Sequence, residues 1–181
     1  MCINWLASAF NYFMVGFLVK YFPGNIYINS LMSTLSEIAA YCLAGYFYKK
    51  FGVIKCFMIS FGIAVIGGAG IVIFEISTGF YKNNSDVVGG WLFPTLVIFA
   101  KLGVSAAFNI NYVCNLDLFP VLFASTAYGF CNFLARLFTI LSPQVAEIQS
   151  LLPMVLFTGT SLLAMITSAF LKPAKKEKET N

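Results

Sequence analysis

Three ionisable residues, Glu37, Lys101 and Arg136, stand well inside long apolar runs. An ionisable group at the centre of a membrane helix costs about 2.5 to 3.5 kcal/mol on insertion scales, so each must face protein, water or a charged partner. The chemistry open to them is ion pairing, proton relay or the binding of a charged solute. The chain has no His, which removes the commonest general base and the commonest ligand for haem, copper or zinc. Cys2, Cys42, Cys56, Cys114 and Cys131 are scattered with no close pair. They read as buried free thiols and suggest neither a disulfide framework nor a metal site. No nucleophile with an adjacent base can be assembled, so an enzyme or electron carrier is disfavoured, no cofactor or metal is called for, and nucleic acid is not an expected partner.

Helical spacing places polar neighbours around each charge. Ser30, Ser33 and Thr34 lie one or two turns before Glu37, and Tyr41 one turn after it, giving a polar stripe on an otherwise apolar helix. Glu37 then has two readings: a glutamate bonded to a neighbouring helix to fix packing, or one lining a solute or proton path. Arg136 shares its face with Ser125, Gly129, Asn132 and Thr139. A guanidinium keeps its proton, so Arg136 reads either as an anion-binding group or as half of an ion pair with Glu37. Lys101, Ser105 and Tyr112 share a face with Asn109 at its edge, and Asn4, Ser8 and Asn11 share another, flanked by Phe10 and Tyr12. Gly62, Gly67, Gly68 and Gly70 have no phosphate-binding pattern around them and read as positions of close helix contact.

The elements that must carry these faces are membrane helices. Of 181 residues, 60% are hydrophobic and 10% charged, against about 25% charged in soluble domains. Spans are expected near residues 3–19, 26–48, 56–74, 91–114, 121–141 and 151–171, each about the 20 residues needed to cross a hydrocarbon core. Turns at Phe22-Pro23-Gly24-Asn25 and Asn83-Asn84-Ser85-Asp86 are too short to fold separately, and Pro120, Pro143 and Pro153 stand near helix ends. The expected fold is an all-α membrane protein, a six-transmembrane-helix bundle spanning residues 1–171 with a basic tail at 172–181. Lys49, Lys50, Lys55, Lys172, Lys175, Lys176 and Lys178 fall on one side against Lys20 and Lys82 on the other. The positive-inside bias puts both termini on the cytoplasmic side, or the matrix side of a mitochondrion. The first span lacks the basic start of a signal peptide, and the Lys-rich tail reads as a solvated stop after the last span that can also touch anionic lipid.

The stretches Gly24-Asn25-Ile26-Tyr27-Ile28-Asn29, Ser36-Glu37-Ile38-Ala39-Ala40-Tyr41, Lys101-Leu102-Gly103-Val104-Ser105-Ala106-Ala107-Phe108-Asn109 and Asp117-Leu118-Phe119-Pro120, followed by Gly129 and Ala135-Arg136, resemble the C-terminal six-helix half of the organic cation, anion and carnitine transporter family within the major facilitator superfamily. The resemblance implies a carrier whose solute sits between two six-helix halves near the midplane, with alternating access by rocking. It also implies that Tyr12, Glu37, Lys101 and Arg136 line the C-terminal wall of the cavity, and Tyr41, Asn109 and Asn132, on the same polar faces, are further candidates for its lining. In that family the position matching Arg136 is often basic in anion carriers, which favours an organic anion slightly, with Glu37 keeping a zwitterion or cation open. The plasma membrane is the expected location by resemblance, and an organelle inner membrane is open.

The same resemblance implies a cytoplasmic gate formed by Lys49, Lys50, Gly52, Asp117 and Pro120. Lys49 stands where an acidic residue is usual, Val53 and Ile54 replace basic ones, and Ala124 replaces an arginine. Asp117 is thus expected to lack its nearby basic partner. The chain starts at the seventh helix of the pattern, so it is expected to belong to a longer product or to have as partners, besides lipid, a second six-helix half, a copy of itself or subunits of a larger membrane complex. Two functions follow: a half-length carrier for a small organic ion, or a transporter-derived structural subunit without transport activity.

Overall fold

A computed structural model describes residues 1–21, 26–78, 92–148 and 150–171, and every regular element among them is helical. In chain order these are α1 (Cys2–Leu18) with a 3-10 turn (Val19–Tyr21), α2 (Ile26–Thr78), α3 (Leu92–Val113), α4 (Asn115–Leu118), α5 (Val121–Thr139), α6 (Ser142–Ala146) and α7 (Leu152–Ala169). The expected turns at 22–25 and 83–86, Lys82 and the basic tail from Lys172 lie outside the described residues. Pro143 and Pro153 stand in the first turns of α6 and α7, and Pro120 immediately precedes α5, places where a missing N–H is harmless.

The distribution of side chains is that of a protein in lipid. Ala7, Ala9, Ala40, Ala44, Ala64, Ala100 and Ala107 are buried together with Asn4, Ser8, Asn11 and Ser161, while Ile28, Leu31, Ile66, Ile73, Phe133 and Ile166 point outward. Trp5, Phe57, Phe61 and Phe157 are buried as well, and the small and polar residues between helices suit association within a bilayer. By length and apolarity, Cys2–Tyr21, Ile26–Ser77, Pro94–Val113 and Leu152–Ala169 can each cross a membrane. The chain is a multi-pass membrane protein.

The expected loop at 49–55 is instead helix on both sides of a single break. Gly52 has φ 78° and ψ 175°, a left-handed conformation open to glycine and strained for other residues. Beyond it the second arm of α2 folds back on the first, with the Cys56 thiol donating to the Ala44 carbonyl at 3.8 Å.

The second arm lies against α3 at backbone distance. A Cβ on Gly67 would stand 2.4 Å from the Ala100 nitrogen, and one on Gly103 would stand 2.4 Å from the Ala64 nitrogen and 2.6 Å from the Ser60 oxygen. These two crossings, either side of Lys101, set the rotation of α3. Gly68 faces Phe157 and Thr158 on α7, and Gly70 faces Leu96. Gly62 does not belong with them: a Cβ there would meet nothing within 4 Å, because it is out of helical register with Ser60, Ala64 and Gly67.

Helix α1 packs against α3, α5, α6 and α7. Its Asn4, Ser8 and Asn11 face is spent on that packing. Asn4 donates to Ser168 at 2.8 Å and accepts from Thr167 at 2.8 Å. Asn11 donates to Ser161 at 2.9 Å and accepts from Thr160 at 2.9 Å. Ser8 accepts a hydrogen bond from Asn111 on α3. The first helix therefore turns its strongest polar face into the bundle, where interhelical hydrogen bonds hold it to α7.

Candidate functional site

The packing of α3 against the second arm of α2 directs Lys101 toward α1 and the first arm. There its Nζ lies 2.8 Å from Glu37 Oε1, 3.4 Å from the Tyr12 carbonyl and 4.0 Å from the centre of the Tyr12 ring. The Tyr12 hydroxyl donates to Glu37 Oε2 at 3.1 Å. The lysine side chain is 3% exposed and the glutamate 21%, so the pair opens on the glutamate side. Ammonium, carboxylate, phenol and carbonyl satisfy one another, and the cluster is neutral as a whole. Tyr41, one turn after Glu37, is exposed.

This geometry corrects the pairing of Glu37 with Arg136: the cation that reaches Glu37 is Lys101. Arg136 is exposed on α5. Its guanidinium carbon lies 5.5 Å from the centre of the Phe13 ring. Guanidinium on an aromatic face is a favourable cation–π contact that leaves the donor fork free at its edges.

A continuous aromatic strip joins the two charged centres. Tyr12 stacks on Phe108 with centroids 4.8 Å apart, and Phe108 meets Tyr112 edge-on at 5.2 Å. Tyr112 meets Tyr128 at 5.9 Å, and Trp5 closes the strip against Tyr112 at 4.8 Å and Tyr128 at 5.4 Å. Tyr12, Glu37 and Lys101 thus meet in one cluster, and Phe108 and Phe13 link it to Arg136 through ring contacts. Asn109 and Asn132 are half-buried and stand outside the hydrogen-bonded cluster. Ser30 and Thr34, read as part of the Glu37 stripe, bond along their own helix, Thr34 donating to the Ser30 carbonyl at 3.0 Å.

Asn111 escaped the sequence reading, although it is fully buried and bridges to Ser8. Its only sequence signal is a position one turn after Ala107 on a small-residue face. Ser105, one turn after Lys101, is buried without a hydrogen-bond partner among the described residues.

At the opposite end of α2's first arm, the Tyr48 hydroxyl donates to the Asp117 carboxylate on α4. Asp117 therefore has a phenol from α2 as a hydrogen-bond partner, where the expectation concerned a basic one. Ala124 is buried, and its carbonyl accepts from Asn115 at 2.7 Å, tying α4 to the start of α5. Lys49 and Lys50 are exposed, Lys50 lying over Tyr46 and Phe51 at 5.8 and 5.5 Å.

No family profile matches the chain. Curated relatives do. Solute carrier family 22 member 15-like of Xenopus tropicalis is 30% identical over 180 residues, covering 96% of this chain and 35% of the relative. The chain is a homologue of solute carrier family 22 proteins. The organic cation/carnitine transporter 2 of Homo sapiens is 26% identical over 176 residues, covering 92% of this chain and 28% of that protein. Solute carrier family 22 member 4 of Mus musculus is 25% identical over 169 residues, covering 92% and 29%. The chain spans about a third of the length of the curated relatives it matches. This homology agrees with the all-α membrane fold and with the resemblance to major facilitator carriers.

Proposed function

We propose that the chain forms one wall of a path by which a small organic anion crosses a membrane, completed by a second six-helix unit against which it rocks to give alternating access. The observation that carries the reading is the division of charge. Glu37 is matched by Lys101 and Tyr12, while Arg136 keeps an exposed guanidinium beside aromatic rings. A surface with one uncompensated cation and an aromatic floor suits an anion with an apolar body, since the guanidinium supplies a planar donor fork. The names solute carrier and organic cation/carnitine transporter among the relatives support transport of a small organic ion. Asn109 and Asn132 flank this surface, and Lys49, Lys50, Gly52, Asp117 and Pro120 form the gate, with Tyr48 supplying its clasp. The chain sits in the plasma membrane, on the support of its resemblance to the transporter family, with both termini in the cytoplasm, on the support of its basic-residue bias.

A second reading, a structural subunit without transport, is supported by the first helix, whose Asn4 and Asn11 are consumed in packing. Purification from native membranes with its accompanying chains, followed by reconstitution into liposomes and uptake of radiolabelled aromatic carboxylates, separates the two. Saturable uptake that Arg136→Ala abolishes is expected. Absence of uptake in every purified assembly, with the aromatic strip covered by unrelated subunits, overturns the carrier reading.

A further inference from the structure

Two thiols 129 positions apart in sequence, Cys2 on α1 and Cys131 on α5, have their sulfurs 3.1 Å apart. The approach is built by the helices that carry them: Trp5, Ala9, Cys131 and Ala135 form one buried cluster, in which alanines let the two backbones come close. Of the other cysteines, Cys56 and Cys114 are buried and Cys42 is exposed, which corrects the expectation that all five are buried. Cys2 is half-buried and Cys131 buried, so Cys2 is the more exposed member of the pair. Accessible thiol beside resolving thiol is the layout of redox-sensitive cysteines.

We propose that Cys2 and Cys131 are an oxidisable dithiol whose disulfide pins α1 to α5, taking as oxidant a low-molecular-weight disulfide such as glutathione disulfide. Closing from 3.1 Å to the bonded separation of about 2.05 Å needs a shift of about 1 Å. The exchange is balanced. The Cys2 thiol gives its proton to solvent and its thiolate attacks one glutathione sulfur, breaking the glutathione S–S bond and releasing one glutathione thiolate. The Cys131 thiol then gives up its proton, its sulfur attacks Cys2 Sγ, and the second glutathione leaves as a thiolate. Both departing thiolates recover the two protons. Two protein thiols are oxidised to one disulfide and one glutathione disulfide is reduced to two thiols. The crosslink joins the helix that holds Tyr12 and Phe13 to the one that holds Arg136.

The test is read on peptides and is independent of any transport. Native membranes containing the chain are incubated with glutathione disulfide, blocked with N-ethylmaleimide, digested without reductant and examined by mass spectrometry. The expected result is a Cys2–Cys131 linked peptide that dithiothreitol abolishes, and in Cys131→Ser a stable glutathione adduct on Cys2. Recovery of Cys2 in the unmutated chain as a maleimide or glutathione adduct, with Cys131 unlinked, overturns the proposal.

Discussion

Lys101 reaches from α3 across the bundle to Glu37 on the first arm of α2, Nζ to Oε1 at 2.8 Å, with the side chain of the lysine 3% exposed. Two ions taken out of water hold one another in place, and Tyr12 fills the remaining acceptor and ring positions. A buried pair is weak evidence of net stability, but breaking it strands a charge, which costs about 3 to 5 kcal/mol. Lys101→Met alone and Glu37→Gln alone should therefore each lower the melting temperature of the purified chain sharply. The double variant should recover most of the loss. Equal losses in the single and double variants, followed by thermal size-exclusion in detergent, would show that the pairing is incidental.

The crossings at Gly67 and Gly103 make a second, purely steric prediction. Alanine at Gly103 puts a methyl against the Ala64 nitrogen and Ser60 oxygen, and alanine at Gly67 puts one against the Ala100 backbone. Backbone cannot give way as a side-chain tip can, so each should cost about 1 to 3 kcal/mol. Gly62→Ala, with open space around it, should leave thermostability unchanged or raise it slightly through better helix propensity. If Gly62→Ala is as damaging as Gly103→Ala, the packing of α2 on α3 is wrongly described.

Hydropathy exposes most of this bundle because lipid demands uninterrupted apolar helices, and the 3.6-residue period groups Glu37 with Tyr41 and Lys101 with Ser105 without any tertiary information. Periodicity assigns a face to a helix but not the neighbour that the face meets. Asn4, Ser8 and Asn11 were legible as one stripe, yet their partners on α7 were not. Glu37 had two mid-span cations to choose from, and the choice of Lys101 depends on the rotation of α3, which the glycine crossings set. Those crossings carried a signal that went unused: Ser60, Ala64 and Gly67 or Gly68 are spaced three or four apart, and Gly62 breaks that spacing. The clasp between Tyr48 and Asp117 was hidden because a phenol in an apolar run looks like any other membrane aromatic.

That clasp is testable by removing one oxygen. Tyr48→Phe keeps the ring and deletes the donor to Asp117, leaving a carboxylate that has lost a hydrogen bond, worth about 1 to 3 kcal/mol when a charged group is involved. The α4 segment should loosen from α2, read as faster hydrogen exchange across residues 115–118 with little change in α7. Protection that stays constant in α4 would mean that the segment's other ties, among them Asn115 bonded to the Ala124 carbonyl, hold it without the Tyr48 hydroxyl.

The polar groups divide into a set that binds helices together and a set left open, and a pair of substitutions should pull the two apart. Asn11 is fully buried and joins α1 to Ser161 and Thr160 on α7. Asn11→Leu should lower thermostability by about 1 to 2 kcal/mol, the range for interhelical hydrogen bonds in lipid, and should leave the affinity for an aromatic carboxylate within about twofold. Arg136 is exposed and touches aromatic faces. Arg136→Gln should hold stability to within about 0.5 kcal/mol, as substitutions away from packed features do, while weakening the anion at least tenfold, since a lost charge-assisted bond is worth about 1.5 to 3 kcal/mol. Scintillation-proximity binding and thermal melts on the same preparations measure both quantities. A large stability loss in Arg136→Gln with unchanged anion affinity would make Arg136 a packing residue and remove the open cation on which the anion reading depends.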